Sequence, residues 1–189
     1  MNKRPKIKYG KLPTKTAVTI PWSTLCVDLI GPYTLKGKDR SELDFMCLTM
    51  IDPATSWFEI VELPVIEKPL KKKGVIVDVE TFDKTSKQIA RLVNKSWFSR
   101  YPRCRNVIYD NGSEFKLYFD ELLTTYGLKK KPTMIKNPQT NAIFERVHQV
   151  IATMLRTLEL DMAESVDPDA VSNFWMTLHG QYALPITPC

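Results

Sequence analysis

Apolar and polar positions divide the chain into a strand-rich first part and a helix-rich remainder. Between residues 22 and 33 a period-two pattern puts Leu25, Val27 and Leu29 on one side. Thr24, Cys26, Asp28 and Ile30 lie on the other, so both sides are largely apolar. A strand clad on both faces belongs at the centre of a sheet. Residues 45–51 form a second apolar run, and Asp52-Pro-Ala-Thr55 turns the chain into a third over residues 57–63. Three strands in succession predict an antiparallel meander. Residues 64–85 hold no clear period; Pro64, Pro69, Lys71-Lys-Lys73 and Val75-Ile-Val77 predict an extended, lysine-bearing loop with one extra strand.

The period then changes to that of a helix. Ser86 offers an N-cap, and Ile89, Val93 and Trp97 make a stripe that runs to Tyr101-Pro102. Val107-Ile-Tyr109 is a short strand and Asn111-Gly112 a sharp turn. Ser113 offers the cap of a second helix, in which Phe115, Tyr118, Phe119, Leu122, Leu123 and Tyr126 share a face until Gly127 ends it. A strand over residues 129–135 and the loop Asn137-Pro-Gln-Thr140 lead to a third helix, marked by Val147, Val150, Ile151, Met154, Leu155 and Leu158. Val171, Phe174, Trp175 and Leu178 indicate a last one.

Composition narrows the class. At 189 residues and 43% hydrophobic content, one globular domain with its own core is expected, which excludes wholesale disorder. It spans residues 21–165, behind a basic, proline-punctuated linker at 1–20 and ahead of a C-terminal helix and truncated tail at 166–189. An excess of 27 Lys+Arg over 21 Asp+Glu, net +6, favours a polyanionic partner, nucleic acid before membrane. Four scattered cysteines without a Cys-x-x-Cys pair, and only two histidines, exclude a zinc finger. Cys26 and Cys47 read as small buried hydrophobes in a reducing compartment. No signal peptide or membrane-length apolar run is present, so a soluble, intracellular protein is expected.

Three acids stand out against this frame: Asp28 within an apolar strand, Asp110 at the end of another, and Glu145 in the first turns of the third helix. A carboxylate inside an apolar strand is costly to bury unless a metal or cation holds it, which points to a metal site. Each has a plainer reading: a hydrogen-bond network for Asp28, an Asx-turn for Asp110, helix N-terminal charge for Glu145. Asp44, Asp52, Glu114 and Asp120 fall in turns or on amphipathic helices, where such groups are solvated or capping; Asp52 is the strongest decoy.

Three segments, taken in order, decide between these readings. Cys26-Val-Asp-Leu-Ile-Gly-Pro32, Tyr109-Asp-Asn-Gly-Ser-Glu-Phe115 and Asn137-Pro-Gln-Thr-Asn-Ala-Ile-Phe-Glu-Arg-Val-His148, with 34 residues between Asp110 and Glu145, resemble the catalytic core of retroelement integrases. The likeness is to gypsy-class long-terminal-repeat retrotransposons and covers roughly residues 21 to 160. It implies an α/β, ribonuclease-H-like fold: a five-stranded mixed sheet, its first three strands antiparallel, flanked by helices. It also implies that Asp28, Asp110 and Glu145 are an Asp-Asp-Glu triad holding two Mg²⁺ or Mn²⁺ ions, with Asp28 bridging them. Hard divalent cations prefer oxygen ligands, and a pair of them stabilises the attacking and leaving oxygens of an in-line phosphoryl displacement.

The implied activity is 3′-end processing of element DNA and its strand transfer into target DNA in the nucleus, by a homodimer or higher multimer. Lys136, Asn137, Gln139, Thr140 and Asn141 in the loop, with His148 and Gln149 on the helix, are the implied DNA contacts. Ala152 stands where retroviral relatives often carry lysine. Lys71-Lys-Lys73 and Lys129-Lys-Lys131 add a possible salt-sensitive footprint. The zinc-binding and C-terminal DNA-binding domains usual in such integrases are not in this sequence, so a fragment or an excised element is expected. A host-adopted DNA-binding module without catalysis and a ribonuclease H on the same fold are the alternatives.

Overall fold

The computed structural model describes residues 20–36, 42–72 and 75–133, together with 149, 152 and 153. The chain opens with β1 (Thr24–Lys36), β2 (Glu42–Ile51) and β3 (Phe58–Glu62), followed by the ribbon of β4 (Val65–Lys72) and β5 (Val75–Phe82). Helix α1 (Ser86–Val93) runs on through a π-helical stretch at Asn94–Phe98; β6 (Asn106–Asp110), helix α2 (Tyr118–Thr125) and β7 (Lys129–Thr133) complete it. The main sheet has the order β3-β2-β1-β6-β7, with β1 at its centre. β1 to β3 pair antiparallel, whereas β6 joins β1, and β7 joins β6, in parallel. The mixed, five-stranded arrangement is the one implied by the resemblance.

The two faces of β1 part as its alternation predicts. Leu25 and Val27 join Leu48, Met50, Val107 and Tyr109 beneath Ile89, Val93 and Trp97 of the first helix and Phe119 and Leu123 of the second. Burial of this apolar surface is what holds the helices to the sheet. Cys26 packs on the opposite face with Ile51, Phe58 and Ile108. Both Cys26 and Cys47 are buried free thiols, as expected of small hydrophobes, and burial pushes the Cys26 thiol up to about 12. β1 then kinks: its register with β2 shifts between Ile30 and Tyr33, and Gly31 there has a φ of 100°. A Cβ on Gly31 would lie 3.1 Å from the Phe45 carbonyl oxygen, so both backbone conformation and space call for glycine.

Four local expectations are corrected. Residues 64–85 are not a loop with one strand; they hold an antiparallel ribbon that pairs only with itself, from Val65 opposite Phe82 to Lys72 opposite Val75. The first helix is capped by Thr85, whose hydroxyl accepts from the Gln88 N–H, rather than by Ser86. Ser86 ties the two helices together instead: its hydroxyl donates to the Lys116 carbonyl and accepts from the Phe119 N–H at 3.0 Å. The second helix is not continuous from Ser113. Residues Ser113–Phe115 form a 3₁₀ turn, Leu117 adopts a φ of 48°, and α2 begins only at Tyr118. Periodicity missed the break because Phe115 and Phe119 reach the same core from either side of it.

Asp52, the strongest decoy, is a structural acid. It is fully buried and accepts from the Trp22 N–H at 3.2 Å, the Ala54 and Thr55 N–H groups, and the Thr55 hydroxyl at 2.7 Å. It thereby closes the β2–β3 turn and holds Trp22, at a φ of 61°, where its ring stacks on Tyr101 with centroids 5.2 Å apart. Loss of a charged acceptor that leaves buried donors unpaired costs about 1–3 kcal/mol or more. Asp52→Ala should therefore lower unfolding stability by about 3 kcal/mol in urea titration; a loss below about 1 kcal/mol contradicts this role.

Candidate active site

The parallel pairing of β1 with β6 builds the site. Thr24 lies opposite Asn106, and the register runs in step to Val27 opposite Tyr109. One residue further along the two strands stand Asp28 and Asp110. Since side chains alternate, both belong to the face of Cys26 and Ile108, away from α1 and α2. Neighbouring strands lie roughly 4.8 Å apart, so two carboxylates spring from adjacent backbones on one side of the sheet. On the other flank of β1, Thr49 is the partner of Asp28 and its hydroxyl donates to the Asp28 carbonyl oxygen at 3.1 Å.

Each carboxylate is steadied by the chain that follows it. Asp28 Oδ1 accepts from the Leu29 N–H at 2.9 Å, and Asp110 Oδ1 from the Asn111 N–H at 2.6 Å. Asp110 is the last residue of β6 and is exposed, as a strand-end acid should be. Around it, buried Tyr109 packs on Phe115 and Phe119 at centroid distances of 5.8 and 5.2 Å, so the turn between them leaves and re-enters the core at fixed points. Glu114 on that turn is not the solvated group expected: it is half-buried, with its carboxyl folded against Gly112.

Electrostatics single out Asp28. Burial pushes its carboxyl up from 3.8 to about 6; the Leu29 N–H pulls it down, and the negative charges of Asp110 and Glu114 raise it further. A desolvated carboxylate facing like charges is what a hard cation relieves, and Asp28 and Asp110 supply the oxygen donors such an ion takes. The residues present thus fit a divalent metal. Among the described residues no group of three His, Cys, Asp or Glu side chains is placed to hold one, so these two acids are a partial set.

Glu145, Lys136, Asn137, Gln139, Thr140, Asn141 and His148 lie outside the described residues. Gln149 is helical and exposed, and Ala152 and Thr153 are helical too, in keeping with the third helix. Lys130 is engaged within the fold, its ammonium 2.5 Å from Asp120. Sequence reasoning did not mark Glu114 for the site. The available signal was its place four residues after Asp110, beyond Gly112, and that is legible only once the helix is known to break there.

No protein-family model matches the chain, and no curated protein matches it in sequence. Solved structures do match. A chain of the simian T-cell lymphotropic virus intasome in complex with PP2A regulatory subunit B56 gamma is similar at a TM-score of 0.60 and 14% identity, over 91% of this chain and 53% of that one. The catalytic core domain of BIV integrase gives 0.54 and 15%, over 86% and 87%. The HTLV-2 integrase catalytic core domain, in complex with magnesium and in a trimeric form, gives 0.52 and 16%, over 88% and 91%. The chain spans about half the length of the intasome protein it matches. What these likenesses establish is the fold, the ribonuclease-H-like one of retroviral integrase catalytic cores.

The raised Asp28 carboxyl has a stability consequence whose sign is fixed. Between 3.8 and about 6 the folded state binds more protons than the unfolded one, so without metal stability falls as pH rises through that window. The full difference corresponds to a ceiling of roughly 3 kcal/mol, reduced by solvent screening of a group that is only partly buried. Asp28→Asn should therefore stabilise the metal-free protein at pH 7.5 by about 1–2 kcal/mol and flatten the decline between pH 4 and 6. Urea unfolding in chelator at several pH values checks both; an Asn variant less stable than the parent at pH 7.5 contradicts them.

Proposed function

We propose that the chain is the catalytic core of a retroelement integrase, which cuts and rejoins DNA phosphodiesters with divalent cations. The observation that carries this reading is the position of Asp28 and Asp110 side by side across β1 and β6, on a fold shared with integrase cores. Asp28 and Asp110 would hold Mg²⁺ or Mn²⁺ through their carboxylates. Glu145, 34 residues beyond Asp110, would complete the set from the third helix. When bound, a pair of such ions lowers the barrier to in-line displacement by stabilising the entering and leaving oxygens.

The chain's own part is to place and shield these groups. β1, at the centre of the sheet, fixes the Asp28 backbone between β2 and β6. The Tyr109, Phe115 and Phe119 cluster sets the point at which Asp110 emerges. Phosphates of the element ends and of target DNA would be received by Lys136, Asn137, Gln139, Thr140, Asn141, His148 and the exposed Gln149, aided by the chain's net +6 charge. Work on chromosomal DNA implies the nucleus, and joining paired ends implies a multimer.

Reversal of strand joining on a branched DNA substrate tests the reading, because it asks the core for a single displacement. In Mg²⁺ or Mn²⁺ the parent should release the joined strand, and Asp110→Asn should cut the rate at least about a hundredfold while DNA affinity changes less than about threefold. Equal rates in parent and variant overturn the assignment. A parent that binds DNA without ever resolving it supports an adopted binding module, and cleavage confined to an RNA–DNA hybrid supports a ribonuclease H.

A further inference from the structure

The turn Asp110-Asn-Gly-Ser-Glu-Phe115 carries one acid that the proposed chemistry leaves without a part. Glu114 folds back over its own turn: a Cβ built on Gly112 would lie 2.5 Å from its Cδ and Oε1 and 2.6 Å from its Oε2. Ser113 donates its hydroxyl to Glu114 Oε2 at 3.3 Å. Gly112 itself has a φ of −67° and a ψ of 160°, a conformation open to any L-residue. Glycine is therefore not required there by the backbone; what it leaves open is the space that the carboxyl fills. Both ends of this turn are anchored, by Tyr109 and by Phe115, so the seat is held in place relative to Asp110.

From that seat the carboxylate acts on the site. Its charge is felt at Asp28 in the same sense as that of Asp110. Among the described residues it does not complete a three-ligand metal group, so its action is through charge rather than ligation.

We infer that Glu114, seated on Gly112, is a positioning residue of the cation site, a fixed negative charge beside Asp28 and Asp110 that raises the pocket's affinity for divalent metal without ligating it. This deepens the proposed function and rests on that reading. Gly112 and Glu114 then act as one unit. A methyl group at residue 112 meets only the far end of a flexible side chain, so it expels the carboxylate and leaves the fold in place.

Titration of the full chain with Mg²⁺, and in parallel Mn²⁺, followed by thermal unfolding, reads the affinity without any need for activity. Glu114→Gln keeps the shape and removes the charge; it should raise the half-saturating cation concentration roughly three- to tenfold. Gly112→Ala should produce the same rise, and in a Glu114→Ala background it should add nothing further. A variant with a lower metal-free melting temperature and an unmoved midpoint marks a merely structural role and overturns the inference. So does a Gly112→Ala effect that persists undiminished without Glu114, or a Glu114→Gln midpoint equal to the parent's. If neither cation stabilises the parent, the metal reading of the whole site falls, and the inference with it.

Discussion

The structure depends on one pairing, that of β1 with β6 in parallel. It sets the sequence-distant residues Asp28 and Asp110 side by side at the point where β6 ends and β1 continues into its bulge. Antiparallel neighbours on both flanks would have matched Asp28 with a residue of opposite chain sense, and the strand-end position of Asp110 would have been lost. The cost is a carboxylate placed inside an apolar strand, pushed to about 6 by burial and by its acidic neighbours. Such a cost persists where the surroundings over-determine the backbone, and the centre of a five-stranded sheet is such a place.

The surrounding elements serve that pairing. Asp52 closes the β2–β3 turn and at the same time holds Trp22, so the entry into β1 is fixed before the strand begins. On the helix-covered face, Tyr109, Phe115 and Phe119 define where the chain leaves and regains the core around Asp110, and Ser86 ties the first helix to the start of the second. The turn in between is therefore short and doubly anchored, which lets the side chain of Glu114 lie against Gly112 rather than in solvent. Stability elements and candidate chemistry are thus kept on opposite faces of one sheet.

Much of this was legible in the residues. Two-sided apolar cladding of residues 24–30 located the central strand, and the helical stripe of Ile89, Val93 and Trp97 located the first helix, because these patterns follow directly from burial. Local caps were less legible: Thr85 and Ser86 are chemically alike, and only the contact of Ser86 with Lys116 and Phe119, 30 and 33 residues away, decides between them. The ribbon of β4 and β5 was hidden because prolines and lysines interrupt its alternation, and it pairs only with itself, so no core face stamps a pattern on it. For the site, Asp28 and Asp110 were readable as a misplaced acid and a strand-end acid. Glu114 was not, since its role follows from a helix break and a missing Cβ.

Crystals of the chain grown with Mn²⁺ and measured at the manganese absorption edge address the central claim most directly. The account predicts an anomalous peak shared by Asp28 and Asp110, with carboxylate oxygens within roughly 2.0–2.4 Å of the ion. A map with no peak between these two side chains at saturating Mn²⁺, or with Asp28 turned away from Asp110, would contradict it.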